Sequence, residues 1–202
     1  MSEPGFTHLN ERGEARMVDV TAKDITVRAA TARCTVTISA EVAALLRAGD
    51  LPKGDALGVA RIAAIQATKR TPDLIPLCHP IAVHGVDVDV RLDDDVPSVV
   101  IVATVRTADR TGVEMEALTA AAVGGLTVID MVKGKDRYAA IGEVVLLEKL
   151  GGRSGHWVRG SSRTTRSAGR WLSRHRPAPP LACARTARGR WWPRASPLWA
   201  WW

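Results

Sequence analysis

Two adjacent residues, Cys78 and His79, have the side chains of a reactive centre. They lie in the stretch "LIPLCHPIAVHG", between Pro76 and Pro80. A cysteine beside a histidine is compatible with a metal-ligand pair, a nucleophile with its base, a substrate contact or a bent segment of the core. The pair alone does not choose among these four.

Three further clusters carry charges suited to proton transfer and anion binding. Lys53 in "PKGD" precedes a predicted helix, where a cation and free backbone N–H groups bind anions. Glu114 and Glu116 begin a long predicted helix. Asp130 and Lys133 lie three residues apart near its end, on one face. Each cluster also has a purely structural interpretation, since glutamates suit any helix N-terminus and the Asp130–Lys133 pair is compatible with a weak surface ion pair.

Alternation and capping signals predict the elements that position these residues. "VHGVDVDVRLD" and "SVVIVATVRTAD" alternate apolar and polar residues, which predicts a β-hairpin with one solvated face. Ser39 and Asp55 are predicted N-caps, Gly49 a helix stop, and Thr71-Pro72 the end of the second helix. The predicted strands are 25–38, 83–93, 98–109 and 141–152, and the predicted helices 39–49, 56–70 and 113–133. This β-α-α-β-β-α-β order predicts an α+β fold with helices on one face of an antiparallel sheet.

Two local features complete this description. The first twenty-odd residues are polar and predict an extended arm. Gly124 and Gly125 lie inside the long predicted helix, where each glycine costs about 1 kcal/mol relative to alanine. We therefore expect close packing at these two positions.

The basic charge of the chain is confined to one segment. The 202 residues carry a net charge of +7, with 46% hydrophobic and 4% aromatic residues. Residues 158–202 contain ten Arg, no Lys and no acidic residue, and subtracting these ten from 28 leaves 18 basic residues against 21 acidic ones, a formal −3 for residues 1–157. We predict a domain at 1–157 and an Arg/Trp/Pro-rich tail at 158–202, either disordered or read out of frame. The alternative is a nucleic-acid or membrane-binding arm.

Several classes of protein are disfavoured by what the sequence lacks. The three cysteines show no CxxC or finger spacing, which indicates a reducing compartment and no metal site. No signal peptide is apparent and no stretch approaches the ~20 apolar residues of a membrane span. Neither a P-loop nor a Rossmann glycine motif is present. We expect a cytoplasmic protein that binds no membrane and no nucleic acid.

The clusters occur in sequence segments that resemble those of the MoaC family of molybdenum cofactor biosynthesis. The matching segments are "GEARMVDV", "KGDALGVARIAAIQATKRTPDLIPLCHP", "TGVEMEALTAAAVGGLTVIDMVK" and "LLEKLGGRSG". The resemblance covers about 6–157 and implies a lyase that converts a 3′,8-cyclised GTP to cyclic pyranopterin monophosphate and releases pyrophosphate. It also implies a ferredoxin-like fold in a homohexamer, a hexamer of dimers, with pockets where subunits meet.

Residue roles follow from matching positions in that family. Asp130, Lys133 and Lys53 match its active-site aspartate and two lysines, and we expect His79 to act with them in acid–base or phosphate chemistry. We expect these four residues to converge in one cleft of the assembled protein. The predicted substrate-binding residues are Leu77, Cys78, His79, Glu114, Met115 and Glu116, with Lys69, Arg70 and Lys149 as cations for the triphosphate.

The resemblance also has implications for the substrate and cofactor, and some positions of this sequence depart from the family pattern. The substrate is a small molecule derived from a nucleotide. No cofactor is implied, although Mg²⁺ is a candidate companion of the triphosphate.

Ile129, Val132 and Gly134 replace the usual Tyr, Cys and Ala, and Leu150 and Arg153 replace Ser and Lys. Two alternatives therefore remain: a catalytically weakened paralogue with a binding or regulatory role, and nucleic-acid binding through the basic tail.

Overall fold

A computed structural model describes residues 8–10 and 12–160 of the chain. The elements are β1 (Thr26–Thr37), α1 (Ala40–Ala48), α2 (Ala56–Thr68), α3 (Thr71–Leu74), β2 (Gly85–Leu92), β3 (Ser98–Asp109), α4 (Glu114–Val132), β4 (Ala140–Leu150) and β5 (Trp157–Val158). The predicted tail at 158–202 lies outside the described residues, apart from residues 158–160, so the predicted division into domain and tail stays a prediction.

The strands form one antiparallel sheet in the order β2-β3-β1-β4-β5. The first four follow the order of a ferredoxin-like βαββαβ unit, with the α1–α3 segment as the first crossover and α4 as the second. The helices cover one face, so the predicted α+β class and ferredoxin-like sheet are confirmed.

The core lies between the sheet on one side and helices α2 and α4 on the other. Alternate side chains of the central strands β1 and β3 face these helices. Cys34 and Val36 on β1 are fully buried, as are Val99, Ile101 and Val105 on β3. These side chains pack with the buried alanines and valines of α2 and α4. With few aromatic residues available, small aliphatic side chains allow the helices to lie close to the sheet.

Helix α4 is the central core helix, and its two glycines explain how close it lies. A Cβ at Gly125 would be 2.6 Å from Cys34 Sγ, and one at Gly124 would be 3.2 Å from Ile101 Cγ2. The predicted close packing is confirmed. By length and composition, α4 is the one helix in 8–10 and 12–160 suited to cross a membrane, a feature that the sequence reading overlooked. Because α4 packs against β1, β3, β4 and α2, it is instead the core helix of a soluble domain.

Most helix ends agree with the capping signals. Ser39 Oγ accepts from Val42 N–H at 3.3 Å, Asp55 Oδ1 accepts from Gly58 N–H at 2.8 Å, and Gly49 ends α1 with φ 74°.

Two short elements were missed in the sequence. Thr71-Pro72 was predicted to end a helix, but α2 ends at Thr68 and Thr71-Pro72 begins α3. Proline suits a first helical turn because its missing N–H has no partner there in any case. The two residues of β5, which pair with Glu148 and Lys149 of β4, are too few to show a periodic pattern.

Candidate active site

A pocket of about 720 Å³ lies at the start of α4. It brings together Leu77, Cys78 and His79 from the proline-flanked loop with Glu114, Met115 and Glu116 from the first turn of the helix. These six residues, five uncharged or acidic ones and the histidine, are among those predicted to bind substrate. Its remaining lining residues are His8, Val18, Val20, Lys23, Ile75, Thr111 and Gly112.

Glu116 is the buried carboxyl group of this pocket. It is 3% exposed, and burial, with a smaller contribution from the charge of Glu114, raises its pKa to about 7. A carboxyl group with this pKa exists in both protonation states near neutral pH. This carboxyl group is therefore suited to donate a proton to a bound heterocycle or to accept one from it.

The Cys78-His79 pair does not form a nucleophile with its base among the hydrogen bonds of the described residues. His79 Nε2 instead lies 2.7 Å from the backbone oxygen of Val18. Burial, with the charge of Glu116, raises the pKa of the Cys78 thiol. A thiol with a raised pKa is a poor nucleophile, so Cys78 is a wall residue of the pocket.

Glu114 is held by a cation and by a glycine. Lys149 Nζ, at the end of β4, lies 3.4 Å from Glu114 Oε1 and also donates to Ser154 Oγ. A Cβ at Gly112 would lie 1.8 Å from Glu114 Oε2, so only glycine permits this position of the carboxylate. Lys149 is thereby placed beside the pocket.

A second cluster lies at the other end of α4. Lys133 Nζ is 2.6 Å from Asp130 Oδ1, and Lys53 Nζ is 3.3 Å from Asp130 Oδ2 and 2.6 Å from the Asp130 backbone oxygen. Hydrogen bonds from Lys133 and then Lys53 lower the pKa of Asp130. Its side chain is 57% exposed. The predicted Lys53–Asp130–Lys133 group is thus assembled, as an ionised carboxylate between two ammonium groups.

The two clusters do not meet within one chain. Asp130 lies fourteen residues after Glu116 on α4, and at a rise of about 1.5 Å per residue the two are about 21 Å apart along the helix axis. None of Lys53, Asp130 or Lys133 lines the pocket that contains His79. A single protomer therefore offers two partial sites.

The remaining predicted cations lie elsewhere. Lys69 and Arg70 are exposed residues between α2 and α3 and do not line the pocket. Arg70 Nη1 lies 3.4 Å from Asp73 Oδ2.

The sequence reading had missed the lining residues of the N-terminal arm. Val18, Val20 and Lys23 line the pocket, although the sequence predicted only an extended arm there. The segment "GEARMVDV", Gly13 to Val20, was the available signal, since it carries part of the family resemblance.

Within 8–10 and 12–160, no group of three or more His, Cys, Asp or Glu side chains is arranged to hold a metal ion. His84, the nearest histidine in sequence to His79, accepts from Ala108 N–H through Nδ1 at 3.2 Å. A companion Mg²⁺ therefore remains a prediction tied to the triphosphate.

Fold and site together define a class of protein: a ferredoxin-like α+β domain with a pocket around a buried carboxyl group and a separate lysine–carboxylate cluster. Comparison with known proteins narrows this class. The MoaC family matches residues 17–152. The chain belongs to the MoaC family.

Relatives from distant bacteria carry one name, cyclic pyranopterin monophosphate synthase. The protein of this name from Nocardioides sp. is 58% identical over 155 residues, covering 76% of this chain and 95% of the relative. Those of Roseiflexus castenholzii and Geobacter metallireducens are 59% and 51% identical, each over 76% of this chain and covering 97% and 96% of their own lengths.

Proposed function

We propose that this protein converts a 3′,8-cyclised GTP intermediate to cyclic pyranopterin monophosphate, releasing pyrophosphate, in molybdenum cofactor biosynthesis. The observation that carries the proposal is the Lys53–Asp130–Lys133 cluster, because both lysines matched to the family's active site contact the matched aspartate, although Lys53 is 77 positions from Asp130. Identity above 50% to relatives named cyclic pyranopterin monophosphate synthase supports the same conclusion.

The lysine–carboxylate cluster would act on the phosphate end of the substrate. Closing a cyclic phosphate while pyrophosphate leaves builds up negative charge, which ammonium groups stabilise. The ionised Asp130 keeps Lys53 and Lys133 close together despite their like charges. In this role the ionised carboxylate of Asp130 sets the position of both lysines, whose ammonium groups can donate protons to the substrate.

The pocket at the start of α4 would hold the guanine-derived ring. Glu116 accepts or donates a hydrogen bond at the ring, and its pKa of about 7 lets it exchange a proton there near neutral pH. Lys149, held beside the pocket by Glu114, contributes a positive charge toward the phosphates. Lys69 and Arg70, which lie outside the pocket, are proposed to act only from a neighbouring subunit.

We propose that complete sites form between subunits of the homohexamer implied by the family resemblance. Two partial sites about 21 Å apart on one helix would be joined if the start of α4 in one protomer met the end of α4 in another. Exposed apolar residues favour such contact: Val59 and Ile62 on α2 are 46% and 65% exposed, and Leu126 on α4 is 57% exposed. Leu126 lies one helical turn from Asp130, on the same face.

Mixed oligomers test this arrangement directly. Asp130→Asn and Glu116→Gln each disable a different cluster, so each homo-oligomer should be inactive. When the two variants are co-expressed at equal levels, half of the pairs should be mixed, and one of the two sites in each mixed pair combines two intact clusters. Turnover should therefore recover to about a quarter of the wild-type value. Recovery below one per cent, with mixed oligomers verified by differential tags, would place each site inside a single chain.

The activity itself is tested with the purified full chain and the 3′,8-cyclised GTP. We expect one pyrophosphate released per cyclic pyranopterin monophosphate formed. Tight binding without turnover would favour a binding or regulatory role instead. Salt-dependent DNA binding by a chain ending at residue 160 would favour a nucleic-acid function of the domain. A cytoplasmic location is part of the proposal, because a nucleotide-derived substrate is made and used there.

A further inference from the structure

The N-terminal arm, residues 12–24, forms part of the pocket wall. Val18, Val20 and Lys23 line the same cavity as His79. The backbone oxygen of Val18 lies 2.7 Å from His79 Nε2, within hydrogen-bond distance. The arm therefore touches the histidine of the site through a group that no substitution of the Val18 side chain removes.

The chemistry of this contact determines where the imidazole proton lies. A carbonyl oxygen only accepts hydrogen bonds, so Nε2 must carry the hydrogen. The neutral ring is then the Nε2–H tautomer, and the tautomer with hydrogen on Nδ1 would place two lone pairs against each other. The protonated ring also donates from Nε2. His79 can thus gain or lose a proton at Nδ1 while the contact with Val18 stays intact.

We infer that the N-terminal arm is a positioning element for His79: the Val18 carbonyl fixes the Nε2–H tautomer and so makes Nδ1 the atom that exchanges protons. The assignment of Nδ1 as the proton-transfer atom rests on the proposed function, whereas the tautomer itself does not. Neither Val18 nor the arm touches a reacting atom in this role. The arm acts through His79.

The arm is built to hold this carbonyl in place. Arg110 Nε donates to the backbone oxygen of Lys23 at 3.0 Å, which ties the end of the arm to the residue after β3. Asp19 Oδ1 accepts from Thr21 N–H at 2.8 Å, and Lys23 N–H donates to Val20 O at 3.0 Å. Val18 thus precedes a hydrogen-bonded turn that is anchored beside the pocket.

Nitrogen NMR on the full chain with ¹⁵N-labelled histidine measures the tautomer directly. We expect the neutral ring of His79 to show Nε2–H and an unprotonated Nδ1. Replacing Asp19 by its α-hydroxy analogue converts the Val18 carbonyl to an ester, a weaker acceptor, and keeps every side chain. This variant should show a measurable Nδ1–H population at His79 and a fall in kcat of about threefold, because the hydrogen bond is weakened and not lost.

Two controls accompany the ester. Val18→Ala keeps the carbonyl and should leave the His79 tautomer unchanged. His84 serves as an internal reference, because its Nδ1 accepts from Ala108 and its tautomer is independent of the arm. Deleting residues 2–20 should shift His79, but not His84, toward the tautomer mixture of a free imidazole. If that truncated chain does not fold, the ester variant alone decides.

The outcomes separate the two proposals. An Nδ1–H tautomer in the wild type, or an unchanged His79 tautomer in the ester variant, overturns the inference about the arm. A wild type with the expected tautomer that releases no pyrophosphate from the cyclised GTP overturns the proposed function and leaves the tautomer assignment standing.

Discussion

The two ends of α4 hold the same chemical group in contrasting environments. At its start, Glu116 is 3% exposed and burial raises its pKa to about 7. At its end, Asp130 is exposed and hydrogen bonds from two lysines lower its pKa. Both carboxylates lie on one apolar helix, so burial and neighbouring cations, not helix position, decide which one carries a proton at neutral pH.

The largest effect is expected at the exposed end. Asp130→Asn removes the charge between Lys53 and Lys133 and should lower pyrophosphate release by about 10³-fold, within the range for a lost acid–base group. Because Asp130 is exposed, the midpoint of urea unfolding should be the same in this variant as in the wild type. Steady-state kinetics and urea unfolding measure the two separately.

Asp87→Asn is the matched control for this change. Asp87 is likewise an exposed, ion-paired carboxylate, with Arg106 as its partner on β3. It belongs to neither cluster, so turnover should stay within twofold of wild type. An equal loss in both variants would mean that Asp130 has no special role.

The buried end should also show an effect on stability, in addition to the loss of turnover expected for Glu116→Gln. Because the folded-state pKa of Glu116 is raised from 4.5 to about 7, its contribution is fully present below pH 4.5 and is lost as pH rises through 7. At pH 8, Glu116→Gln should be more stable than wild type by up to roughly 3 kcal/mol, and at pH 4.5 the two should be nearly equal.

Urea unfolding at fixed protein concentration across pH 4.5 to 8 measures this difference. Asp94→Asn, in the exposed β2–β3 turn, is the control and should show no pH-dependent gain. A Glu116→Gln curve parallel to wild type at every pH would show that Glu116 ionises normally.

At the middle of α4, stability should depend on the volume of the side chain. Gly125→Ala places a Cβ 2.6 Å from Cys34 Sγ and should destabilise the fold by about 1–3 kcal/mol, despite the better helix propensity of alanine. Gly134→Ala, just after the helix, meets nothing within 4 Å and should change stability by less than about 0.5 kcal/mol. In thermal unfolding, Cys34→Ala combined with Gly125→Ala should be less destabilised than the sum of the single changes.

The smallest effect is expected at the thiol of Cys78. Burial and the charge of Glu116 raise its pKa, so alkylation by iodoacetamide at neutral pH should be slower than for a free thiol. Glu116→Gln should accelerate the reaction by about two- to threefold. A Cys183→Ser background isolates the signal, because Cys34 is fully buried. A rate that does not respond to Glu116→Gln would show that the two groups are uncoupled.

Local signals in the sequence were sufficient for most of the fold. Ser39, Asp55 and Gly49 define helix ends because capping depends on a few neighbouring residues. The pairing of β2 with β3 follows from the two-residue period of the strands, but the predicted solvated face was wrong for residues 98–103 of β3, which are all buried. The short α3 and β5 were missed because neither is long enough to show a period.

The site was predictable only as a set of residues, and that set came from family motifs. Spacing alone places Asp130 beside Lys133, three positions away on a helix. It does not bring Lys53 to the same carboxylate, or the Val18 carbonyl to His79, because those contacts join segments that only the folded chain brings together.

The amino-acid order by itself determined where helices and strands begin, which faces are apolar and which family motifs are present, since each depends on interactions over a few residues. The tertiary structure alone decided that Glu116 is buried while Asp130 is exposed, that the arm reaches His79, and that the two clusters lie at opposite ends of α4. The reason is physical: pKa values and hydrogen bonds depend on what packs around a group in space, and that packing is set by the whole sheet and its helices.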